Sequence, residues 1–145
     1  MEEKIKNMKQ IKYIIVHCTA TKEYADFKAK DVDKWHKQKG WDGIGYHYLI
    51  DLDGTIEKGR PETKIGAHCK GYNDCSIGVC YVGGLASDNK TPKDTRTFAQ
   101  KDSLIELLKE LKTKYPSAKI VGHRDMPKVY KACPCFNAKE EYKNI

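Results

Sequence analysis

Short apolar runs rich in β-branched residues constrain this chain more than any other feature. Ile11 to Cys18 reads as a buried strand, Ser76 to Val82 as another ended by Gly83-Gly84, and Ala118 to Gly122 as a further one. A hairpin is expected where Gly45-Tyr46-His47-Tyr48-Leu49-Ile50 runs through Asp51-Leu52-Asp53-Gly54 into Thr55-Ile56-Glu57. Asp53-Gly54 is a strong turn signal because glycine accepts positive φ without steric cost. Lys28 to Lys39 has helical spacing, with Val32, Trp35 and His36 on one face and Gly40 as its stop. Thr97 and Gln100 are spaced as a capping box. The helix they open buries Leu104, Leu107, Leu108, Leu111 and Tyr115, and it ends before Pro116. A short terminal helix is expected from Asn137, while Ile65 to Asn73 and Ala86 to Asp94 read as loops. Strands alternating with helices predict an α/β fold, a single domain with a mixed central β-sheet packed by helices. No repeat or linker divides it, so residues 11–145 read as one domain behind a leader at 1–10.

A chain of 145 residues buries a core without staples. No stretch approaches the apolar length that crosses a membrane, so no membrane insertion is expected. The charged start, Met1 to Gln10, lacks the apolar centre of a secretory signal. The expectation is a protein that stays cytoplasmic until something else releases it. Lysine and arginine number 27 against 20 acidic residues, a net charge of +7 that favours an anionic partner. The lysines are spread along the chain with no recognition-helix or aromatic-basic signature, so no nucleic-acid partner is indicated. An anionic cell-wall polymer is the other candidate, and most of the charge reads as a solvated surface. The six cysteines read as thiols or ligands rather than a disulfide framework, with Cys69 and Cys75 pairing only in an oxidising compartment.

Three residues far apart in sequence sit where metal ligands would be placed. His17 closes Ile14-Ile15-Val16, His123 follows Ile120-Val121-Gly122, and Cys133 lies in Lys131-Ala132-Cys133-Pro134. Two imidazoles and a thiolate, with a fourth position open to water, form a catalytic zinc set. Each residue also has a plainer reading: a hydrogen-bonded, partly buried imidazole, or a small buried hydrophobe. Both readings stand on spacing alone.

The wider pattern tips the balance. Val16-His17-Cys18-Thr19-Ala20-Thr21, Trp35-His36-Lys37, Gly45-Tyr46-His47, Asp53-Gly54-Thr55, Gly71-Tyr72-Asn73, Ser76-Ile77-Gly78-Val79 and Ala132-Cys133-Pro134 occur in one order. Together they closely resemble the phage lysozyme type of N-acetylmuramoyl-L-alanine amidase, related to peptidoglycan recognition proteins, from about Lys12 to Phe136. The resemblance implies Zn2+ held by His17, His123 and Cys133. It implies Tyr46 beside the attacking water and Lys131 as the catalytic cation. It also implies cleavage of the amide between N-acetylmuramic acid and the L-alanine of the stem peptide.

His68 and Asn73 are expected to line the substrate groove, His47 to be structural and His36 to pack beside Trp35. The chain departs from the family's pattern in offering Lys128 as a second candidate for the lysine role. It also carries Cys135 two residues from Cys133 as a potential competitor for metal, and Asn137 in place of an acidic residue. The expected protein is a monomeric endolysin whose partner is peptidoglycan, attached through its basic surface in a manner that added salt would weaken. The alternative is a non-catalytic peptidoglycan-binding module using the same groove.

Overall fold

The computed structural model describes residues 10–145, so the leader expected at 1–10 lies, but for Gln10, outside the described residues. Among the described residues seven strands are formed: β1 Tyr13–Cys18, β2 Thr21–Lys22, β3 Tyr48–Ile50, β4 Ile56–Lys58, β5 Ser76–Tyr81, β6 Gly84–Leu85 and β7 Lys119–Gly122. The helices are α1 Ala29–Gln38, α2 Phe98–Lys114 and α3 Ala138–Glu141. Five strands make the central sheet in the order β4-β3-β5-β1-β7. Only β3 and β4 pair antiparallel, so the sheet is mixed as expected.

β1 lies between β5 and β7, parallel to both, and Ile14, Ile15 and Val16 are fully buried. A parallel strand covered on both faces needs apolar residues at consecutive positions, which is why its sequence reads as an unbroken run. Side chains alternate across the sheet. Ile14, Val16 and Cys18 enter the core shared with Leu104, Leu107, Leu108 and Leu111 of α2. Ile15 enters a separate cluster with Cys69, Val121 and Met126. His17 follows Ile15 by two positions and therefore lies on the face opposite α2. On that same side of the sheet, Val32 of α1 packs with Leu49, Cys80 and Val82.

Caps and stitches place the helices. The Gln100 amide accepts the backbone N–H of Thr97 at 2.9 Å while the Thr97 hydroxyl accepts that of Gln100 at 3.0 Å. The Gln100 Nε2 also donates to the carbonyls of Ile50 and Val82, tying α2 to the sheet beneath it. Asn137 caps α3 by accepting from the backbone N–H of Glu140. Near that helix the buried Arg96 donates to Asp94, Glu141 and the Tyr142 hydroxyl, all between 2.8 and 2.9 Å. Its guanidinium carbon also stands 3.4 Å from the Phe136 ring centroid.

The hairpin strand begins at Tyr48 rather than Gly45; the Tyr46 and His47 carbonyls still accept from Arg60 and Gly59, but Gly45 turns to a loop. Gly45 accepts from the backbone N–H of Ala67 at 3.0 Å, and a Cβ there would fall 2.1 Å from the Ala67 oxygen. The small ribbon of β2 and β6 was not expected.

Asp51, at the end of β3, is buried near Glu57 of β4, with Lys28 Nζ 3.6 Å from its carboxylate. Burial, and then Glu57, push its carboxyl up to about 7. A raised carboxyl favours folding when protonated, so its contribution is complete below its unfolded pKa of about 4 and is lost as pH rises through about 7. Asp51→Asn is expected to flatten the decline in stability between about pH 4 and 7, read as urea midpoints across that range. An unchanged slope would place the proton elsewhere.

Candidate metal centre

The sheet register creates the site. β1 and β7 run parallel with Val16 opposite Gly122, so the next residues, His17 and His123, emerge side by side at the same sheet end. Their ring centroids are 4.4 Å apart. Cys133 arrives on the segment after β7. That segment is folded back by a 3-10 turn at His123–Asp125, by the Asp125 carboxylate accepting from the Gly122 N–H at 2.7 Å, and by the Arg124 N–H donating to the Cys133 carbonyl. The fully buried Tyr81 of β5 pins the other side, its hydroxyl donating to the Pro134 carbonyl at 2.6 Å. One potential ligand atom each from His17, His123 and Cys133 lies within 4.8 Å of the others.

The donor set suits a divalent metal of intermediate softness. His17 is 1% exposed, and burial first, then the neighbouring His68, His123 and Lys131, hold its pKa well below the ordinary histidine value. It is therefore neutral, the form that donates a lone pair. The Cys133 sulfur accepts the backbone N–H of Cys18 at 3.1 Å, which fixes its side chain beside β1. Cys135 stands outside the cluster. Its sulfur donates to the Gly84 carbonyl at 3.2 Å and lies 3.9 Å from the Cys18 sulfur. All six cysteines are unbridged, Cys69 and Cys75 included.

Tyr46 packs over His17 with ring centroids 5.1 Å apart. Burial, and then the neighbouring Cys80, raise its phenol well above its ordinary value, so it keeps its proton. The buried His36 supports it from behind at 5.5 Å, and its Nδ1 accepts the Gly45 N–H at 2.8 Å. Burial, then Lys39, lower His36 to about 4. Lys131 and Lys128 are both exposed, and the Lys131 charge is among the causes that lower His17.

His68 is buried beside His17, and the half-buried Asn73 holds the backbone that leads into it. Asn73 Oδ1 accepts the backbone N–H groups of His68 and Cys69, both at 2.8 Å. His68 is buried, its Nδ1 2.8 Å from His17 Nε2 and its Nε2 3.3 Å from Ser76 Oγ. Burial first, then His47 and His123, lower His68 to about 3. His47 is structural: its Nδ1 accepts from Gly78 N and its Nε2 faces the Lys64 carbonyl at 2.8 Å. The parts sequence reasoning left out are Ser76, the Cys18 amide and Tyr81. Backbone groups carry no sequence signal, and Ser76 and Tyr81 read as ordinary strand residues.

Comparison with known proteins places the chain in a family. Residues 7–136 match the family described as N-acetylmuramoyl-L-alanine amidase. The chain is 46% identical over 127 residues to the endolysin of Escherichia phage T7, covering 87% of this chain and 82% of that one. It is 44% identical over 126 residues to the endolysin of Klebsiella phage KP32, with the same shares covered. Among solved structures it is similar to the endolysin amidase LysCS from Clostridium intestinale, at 30% identity and a TM-score of 0.77, covering 97% of this chain and 88% of that one. With the family's match spanning most of its length and the fold shared with a solved amidase, the chain belongs to the N-acetylmuramoyl-L-alanine amidase family.

Proposed function

We propose that this protein is a zinc-dependent amidase that cleaves peptidoglycan between N-acetylmuramic acid and L-alanine, acting as an endolysin once it reaches the wall. The observation that carries the reading is the convergence of His17, His123 and Cys133, drawn from distant parts of the chain, within a member of an amidase family. His17 and His123 would hold zinc through imidazole nitrogens and Cys133 through its sulfur. Bound there, zinc supplies Lewis-acid polarisation of a carbonyl and brings the ionisation of a water near neutrality.

The protein's own groups do the remainder. Tyr46, protonated at neutral pH and packed beside His17, would donate a hydrogen bond to the attacking water or to the tetrahedral intermediate. Lys131 brings a cation to the oxyanion that develops as the carbonyl carbon becomes tetrahedral. His36 and the Gly45 backbone hold Tyr46 in place. His68 and Asn73 shape the floor beneath the site, and the net charge of +7 draws the protein to an anionic wall. A complete donor set with a cation beside it opposes the alternative of a binding module that does not cut.

The test is metal analysis of purified protein together with muropeptide release from isolated peptidoglycan. About one zinc per chain, release of new L-alanine amino termini, loss of both on chelation and return with added zinc are expected. Release that survives complete metal removal would overturn the reading.

The two lysines separate cleanly. Lys131→Ala is expected to lower kcat by about 10²-fold, the cost of removing one preorganised oxyanion partner, with zinc content unchanged. Lys128→Ala is expected to stay within about twofold of the parent, as exposed substitutions away from the chemistry do. The reverse order, measured on soluble muropeptides, would move the role to Lys128.

A further inference from the structure

We propose that His68, anchored by Ser76, is a positioning residue that sets the tautomer and ring orientation of His17. This inference rests on the zinc reading of the site, but its evidence is a hydrogen-bond chain whose direction is fixed from one end. The Tyr72 carbonyl can only accept, so the Ser76 hydroxyl at 2.6 Å donates its single proton there. Ser76 Oγ is left as an acceptor, and it faces His68 Nε2 at 3.3 Å. With its proton on Nε2, a neutral His68 presents Nδ1 as a lone pair, 2.8 Å from His17 Nε2. His17 therefore carries its proton on Nε2, and the lone pair left for a metal is that of Nδ1. A backbone carbonyl on one side of the domain thus dictates which nitrogen of a metal ligand is free.

The slot for His68 is built into the backbone. A Cβ at Gly78 would lie 2.7 to 2.8 Å from three atoms of the His68 ring, and one at Gly66 would lie 2.7 Å from its Cδ2. The backbone N–H of His68 is held by Asn73. The ring is therefore gripped by two glycines, by the chain to Ser76 and by its contact with His17. Its burial leaves little of it to a substrate, whereas every polar atom of the ring is engaged in this chain. Groups that hydrogen-bond the far nitrogen of a metal-bound histidine fix its orientation and raise its basicity.

The experiment compares zinc affinity, by chelator competition on the zinc-loaded full chain, for the wild type, His68→Phe, His68→Asn and Ser76→Ala. His68→Phe keeps a planar ring without an acceptor, and zinc binding is expected to weaken about 10- to 100-fold. His68→Asn places an amide oxygen where Nδ1 stood and is expected to recover most of that loss. Ser76→Ala, the mildest change, is expected to weaken zinc binding by a few-fold. In the wild type, nitrogen NMR is expected to show a proton on His17 Nε2 and coupling across the hydrogen bond to His68 Nδ1. Equal zinc affinity in all four proteins, or a proton on His17 Nδ1, would overturn the proposal. A wild type that shows the coupling but binds no zinc would sink the zinc reading while leaving the chain of hydrogen bonds intact.

Discussion

Cys133→Ala is expected to yield a folded protein that retains almost no zinc and releases almost no muropeptide. Cys133 is partly buried and packs against the edge of the core, where alanine removes a single sulfur atom rather than opening a large cavity. Its loss removes the one sulfur of the trio and leaves two histidines, one of which is almost fully buried. Metal catalysis is worth several kcal/mol of transition-state stabilisation, and a loss of about 4 kcal/mol is about 10³-fold in rate. Cys135 cannot take over. Its sulfur is turned to the Gly84 carbonyl and to Cys18, in a space that exists because Gly84 has no side chain: a Cβ there would lie 2.5 Å from the Cys18 sulfur. Cys135→Ser should therefore keep its zinc and serve as the control. Full metal content and turnover in Cys133→Ala would show that the thiolate is not a ligand.

Arg96→Ala should produce the largest loss of stability among single polar substitutions away from the metal cluster. The guanidinium makes five charge-assisted or neutral hydrogen bonds and lies over an aromatic face. Alanine would leave Asp94 and Glu141 without their shared cation and Phe136 without its cover. Breaking a buried ion pair costs about 3 to 5 kcal/mol, but Asp94 and Glu141 are 33% and 43% exposed and water would shield them. A loss of about 2 to 3 kcal/mol is the discounted expectation, equivalent to a fall in Tm of about 10 °C for a domain of this size. Because Phe136 stands three residues beyond Cys133, zinc should also be lost at a lower temperature. Arg96→Lys keeps the charge but not the planar fork and should fall between the two. A Tm within about 2 °C of the parent would show that the cluster is dispensable.

The strands of the sheet and the two longer helices were legible because each carries a local signature. β1 falls within the expected Ile11–Cys18, and α1 lies one residue inside each end of the expected Lys28–Lys39. The Thr97–Gln100 box starts α2, and Asn137 caps α3. The β2–β6 ribbon was not legible, since two residues per strand hold no period and its pairing is set by Thr19 and Gly83 across the fold. At the site, the residue types of the trio were readable but their meeting was not, because it depends on β1 and β7 being neighbours. The contacts of His68 were hidden for the same reason: a histidine in a glycine-rich stretch gives no sign that the sheet will set His17 and Ser76 on either side of it.

The strand order also sets a clock. β1 is made early, yet one of its two flanking strands, β7, comes from beyond residue 118. Such non-local pairings close slowly, since the chain must lose the entropy of a long loop before the contact is gained. His17 thus waits through most of synthesis for His123 and Cys133, and no partial chain lacking β7 assembles the trio. Assembly of the cluster becomes a late event of maturation, reached only when β7 has docked, and a chain arrested before that point carries His17 without its two neighbours.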